Sequence, residues 1–169
     1  MPSVVPAWAL ALTFWLHLLA TVTWIGSLAS ISILVLPAAA RALRLPEQLV
    51  LVDAVQKRLE PIAWFSVSLL VVTGLFQMSV NPHYNGFLAT SGQWSLAILA
   101  KHVLVATLIA VSAVHTWDVL PAIRRALLRK EKADPADLRA LQRREVALLR
   151  ASLVLAALIL LATAFARAS

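Results

Sequence analysis

The 169-residue chain is 61% hydrophobic, with a mean hydropathy of +0.84 and only 14% charged residues, a composition that excludes an ordinary water-soluble domain. It has no cysteine, which removes disulfide frameworks, thiolate nucleophiles, iron–sulfur clusters and zinc fingers together. A net charge of +7 would suggest a nucleic-acid binder if the cations shared one surface, but thirteen of the fifteen Lys/Arg fall in two blocks, residues 41–60 and 121–150, separated by long uncharged stretches.

The first forty residues carry no charged side chain, and their apolar part, 6–36, exceeds the roughly 20 residues that cross a bilayer as a helix. With no basic segment ahead of it, this stretch is expected to be a first span and not a cleaved signal, although Ala38-Ala39-Ala40 would offer small residues to a peptidase. Residues 61–100 contain no charge and are too many for one helix, so Asn81-Pro82-His83-Tyr84-Asn85-Gly86 marks a break. The expected second span is 61–79, opened by Pro61, and the third is 94–120, stopped by Pro121. Trp64, Trp94 and Trp117 lie near span ends, where interfacial aromatics belong. Asp134-Pro135 reads as a helix start leading through an amphipathic stretch into the fourth span, 146–166. The expected fold is a single all-α domain, 1–169. It is an integral membrane four-helix bundle with basic loops 37–60 and 121–145 in the cytoplasm and both termini outside.

Polar groups are costly in hydrocarbon, so those inside the spans are the candidates for chemistry. His17 shares a stripe of helix one with Thr13, Thr21 and Trp24, while Gly26 and Ser30 offer a small-residue pair for close helix packing. Lys101 is the one cation well inside a span, and His102 follows it at a depth comparable to His17. Adjacent helical residues point about 100° apart, so the spacing leaves open which of the two faces His17. Thr73 and Gln77 sit four apart on helix two, as donors toward His17 or as interhelical ties. His115 and Asp118 at i, i+3 read either as an inner-side proton relay or as an ion-paired helix end, and His83 stands in the outer loop.

Trp15-Leu16-His17-Leu18-Leu19-Ala20, followed by Trp24-Ile25-Gly26, resembles the first helix of the copper resistance protein D (CopD) family. Arg58-Leu59-Glu60-Pro61, Val72-Thr73-Gly74-Leu75 and Leu99-Ala100-Lys101 continue that resemblance in order and spacing. It implies a bacterial inner-membrane protein for copper transport or tolerance and not an enzyme, with a periplasmic copper-binding protein as a partner. Cu(I) favours soft sulfur ligands, and with no Cys and only Met1 and Met78 the metal site would be imidazole-based, using His17 and His102 with His83 at the entrance. The chain is also similar to HemJ-type protoporphyrinogen oxidases, which implies haem b. His17 and Lys101 match their functional histidine and lysine, and His102, Trp24, Thr73 and Gln77 complete a cofactor site in the bundle core. A non-catalytic accessory subunit is a third reading.

Overall fold

A computed structural model describes residues 5–81, 86, 93–128 and 134–168. Four long helices account for nearly all of them: α1 (Ala7–Ala42), α2 (Leu45–Ser79), α3 (Gln93–Leu128) and α4 (Pro135–Ala168). Each is long and apolar enough to cross a membrane. Each has a weakly charged run, residues 7–40, 61–79, 93–117 and 151–166, and the charged remainder extends past it toward one end of the bundle, called here the basic end.

Two expected boundaries move, and both involve proline. Pro61 does not open helix two but lies inside it, and Pro121 does not stop helix three, which continues to Leu128. Pro61 stands where the charged extension of α2 meets its apolar run, a place where water or headgroups can satisfy the residue-57 carbonyl that proline leaves without a partner. Pro121 is preceded by a π-helical segment, His115–Val119, and Pro37 in α1 by another, Ser30–Val35. A proline ring collides with the carbonyl four residues earlier, here residues 33 and 117, and in both helices that residue lies in the widened π turn. The helices therefore pass through their prolines.

α1 packs mainly along α2, and α3 along α4. Trp24, Val67, Leu108 and Ala156 form a core at mid-bundle, and Leu49, Val119, Ile123 and Leu138 form another among the charged extensions. The start of α4 follows its sequence signals: Asp134 Oδ1 accepts the Ala136 N–H at 2.8 Å, and Leu138 and Leu149 turn inward. Many large apolar side chains face outward, including Val22, Phe65 and Leu161. Such a surface belongs against lipid.

The small-residue pair of helix one behaves otherwise than expected. Gly26 and Ser30 are exposed, and a Cβ built on Gly26 meets nothing within 4 Å. Close approach occurs instead at Gly74 of α2, where a Cβ would stand 3.5 Å from Cε1 of His17.

Candidate functional site

The far end of the bundle, opposite the basic end, holds the His17 cluster. His17 Nδ1 lies 2.7 Å from Thr73 Oγ1, and Thr73 Oγ1 in turn donates to the Leu69 carbonyl at 2.6 Å. A hydroxyl has one proton, and a carbonyl can only accept. When the Thr73 proton goes to Leu69, its oxygen accepts from His17, and the neutral imidazole then carries its proton on Nδ1 and its lone pair on Nε2. Gly74, lacking a side chain, leaves room for the ring beside this bond.

The neighbours of His17 divide by direction. Thr13 and Thr21 return their hydroxyl protons to their own helix, to Ala9 and His17 carbonyls at 2.7 Å each. Gln77 donates from Nε2 to the Thr13 carbonyl at 3.3 Å, a second tie between α1 and α2. Of the adjacent pair on α3, Lys101 is the residue whose charge acts on His17. His102 turns Nδ1 back to the Ile98 carbonyl of its own helix at 2.7 Å. The structure thus brings together His17, Thr73, Gln77 and Lys101. Trp24 is separate, buried in the mid-bundle core, and His83 lies outside the described residues.

Toward the basic end, α1, α2, α3 and α4 surround a cavity of about 60 Å³ whose polar lining includes Gln56, Glu60, Ser112, His115 and Ser152. His115 is buried there, while Asp118 is half exposed and holds Arg144 at 2.6 Å. The i, i+3 pair of the sequence therefore serves two environments, with the π turn between them. Below the cavity, Asp53 accepts Arg124 Nε at 2.6 Å and Lys57 Nζ at 2.7 Å, and Arg124 also reaches Glu60 at 3.5 Å. Burial works against the Asp53 charge, but hydrogen bonds from Lys57 and Arg124 outweigh it and hold the carboxyl below the usual range. Glu145, just ahead of the apolar run of α4, is pushed up to about 7 by burial and then by the Asp53 charge. Trp64 and Trp117 stack at the cavity's flank, centroids 5.4 Å apart and planes 8° from parallel.

The sequence reading passes over Asp53, Gln56, Arg124 and Glu145, because charges in basic blocks read as loop topology. Their signal is periodic: Asp53, Gln56 and Glu60 at i, i+3 and i+7 lie on one face of α2.

Four apolar crossing helices around buried polar groups define a multi-pass integral membrane protein. A family model described as copper resistance protein D matches residues 53–166, more than half of the chain, and the chain belongs to that family. The match includes Thr73, Lys101 and His115 and begins after α1. No curated protein and no solved structure matches the chain.

Proposed function

We propose that this chain passes copper across a bacterial inner membrane, or maintains tolerance to it there, with His17 as the ligand in the outer half of the bundle. The basic end is cytoplasmic in this reading, since short loops rich in Lys/Arg stay on that side. The observation that carries the proposal is the chain from His17 Nδ1 through Thr73 to the Leu69 carbonyl, which presents an Nε2 lone pair inside an apolar bundle. A ligating histidine is commonly oriented by a hydrogen bond at its other nitrogen in this way.

Copper is cargo here. Among the described residues no three His, Cys, Asp or Glu side chains group to hold a metal, so the donor set is open. An open imidazole set with His17, His102 and the entrance-loop His83 suits a metal that must be released as well as bound. Lys101 beside His17 disfavours a resting cation and favours onward transfer. A periplasmic copper-binding protein would deliver the metal.

The test combines cells and purified protein. Expression of the wild-type chain is expected to change cellular copper content and tolerance relative to an empty vector, and His17→Ala returns both to the vector level while its melting temperature in detergent stays within a few degrees. A Soret band with haem near one per chain and no bound copper would replace this reading with the haem b one. If His17→Ala leaves both copper readouts intact, the site is elsewhere.

A further inference from the structure

We propose that the cavity at the basic end is a hydrated proton-binding site in which Glu145 carries an exchangeable proton. The proposal goes beyond the copper reading and does not depend on it. It starts from polar atoms that the fold buries without satisfying. Gln56 Nε2, His115 Nε2, Ser32 Oγ and both carboxyl oxygens of Glu145 are shielded from solvent and have no hydrogen-bond partner among the described residues. Each of Gln56, His115 and Glu145 is more than nine-tenths buried, Glu145 being 1% exposed. Buried polar atoms in native proteins are nearly always paired, with protein or with ordered water.

Two of these groups share one cavity and Glu145 stands beside it. Gln56 and His115 line the cavity, and Glu145 stands one helical turn before Leu149 and two before Ser152, which line it too. The cavity of about 60 Å³ exceeds the roughly 10–15 Å³ that one water requires, and its rim supplies both donors and acceptors. The Gln56 amide needs an acceptor and the Glu145 oxygens need donors. Water supplies both, and no group among the described residues does.

The charges around Glu145 decide its state. From α2 the charge of Asp53 acts on it, while Lys57 and Arg124 are engaged with Asp53, and Arg124 with Glu60 as well. The α1 segment Ser30–Val35, which packs on α4, has no titratable group, and His115 of α3 lines the adjoining cavity. Arg144, its neighbour on α4, is engaged outside with Asp118. Among the described residues no donor reaches either Glu145 oxygen, and a buried carboxylate without donors is far costlier than the neutral acid. Exchange breaks the Glu145 O–H bond as one forms on a cavity water. No electrons change hands, and the carboxylate left behind is the site to which the proton returns.

Infrared spectroscopy of the copper-free full chain in lipid nanodiscs tests this. At neutral pH the spectrum is expected to show a protonated-carboxyl C=O band equivalent to about half a group per chain, growing toward one group as the pH is lowered through 6. Incorporation of ¹³C-labelled glutamate should shift it, D₂O buffer should shift it again, and Glu145→Gln should remove it. The label assigns the band in wild-type protein, so the result stands even if the variant does not fold. Absence of a glutamate-derived band at neutral pH overturns the proposal, as does a band that survives Glu145→Gln or one that ignores D₂O, the mark of a dry, sealed acid.

Discussion

At the far end of the bundle the hydroxyls of Thr13, Thr21 and Thr73 each reach a carbonyl and the His17 ring reaches Thr73, whereas at the basic end Gln56, His115 and Glu145 bury polar atoms that meet no hydrogen-bond partner among the described residues. Both arrangements lie in the same four-helix frame, and their difference has a physical basis. In the hydrocarbon-facing half no water is available, so a polar side chain persists only with a protein partner, and the partner also orients it. Nearer the charged helix extensions water can enter, and the protein leaves a space for it. One end orients a histidine through a hydrogen bond, and the other buries an acid beside a cavity.

Removing the partner at the far end should have the largest functional effect short of removing His17 itself. Thr73→Val keeps the shape but deletes the acceptor for Nδ1–H, and copper binding by isothermal titration is expected to weaken by about 10–100-fold with little loss of stability. Unchanged affinity would mean that the Thr73 bond is only an interhelical tie.

At the basic end the expected effect is on stability. Asp53→Ala removes the acceptor shared by Arg124 and Lys57. A fully buried pair broken on one side costs roughly 3–5 kcal/mol, and since Arg124 is about a third exposed the expected loss is about 2 kcal/mol, read by denaturation in detergent. Copper binding at His17 should survive.

A smaller effect concerns pH. Because Glu145 keeps its proton up to about 7 in the folded chain but loses it near 4.5 when unfolded, the folded state binds more protons between those values. The stability this group contributes is present below 4.5 and is lost as pH rises through about 7. Melting temperatures from pH 5 to pH 8 should fall in wild type and flatten in Glu145→Gln. Asp53, held below the usual carboxylate range, acts in the opposite sense, losing its contribution as pH falls through more acidic values. The smallest change is expected for Trp117→Ala, which ends the stack on Trp64 and should cost about 0.5–1 kcal/mol.

The architecture was legible before any coordinate, since uncharged runs long enough to cross a bilayer and cations confined to two blocks admit few alternatives. His17, Thr73, Gln77 and Lys101 were legible as well, because a polar residue in an apolar run stands out by composition alone. The proline boundaries were not. Pro61 and Pro121 would stop isolated helices, but Pro61 stands where α2 leaves its charged extension and a π turn carries α3 through Pro121. Gly26 was as good a packing glycine as Gly74 in the sequence, and only the neighbouring helix distinguishes them.

What the sequence determined by itself was the membrane, the four crossings and the set of polar residues inside them, because transfer into lipid is priced residue by residue along the chain. What the tertiary structure decided was pairing: the Lys101 charge bears on His17 while His102 Nδ1 meets the Ile98 carbonyl, Asp118 binds Arg144, and Glu145, hidden among basic neighbours, is buried beside a cavity. Those outcomes depend on the rotation of each helix about its axis, which π turns and cross-helix contacts set and which no one-dimensional pattern of this chain contains.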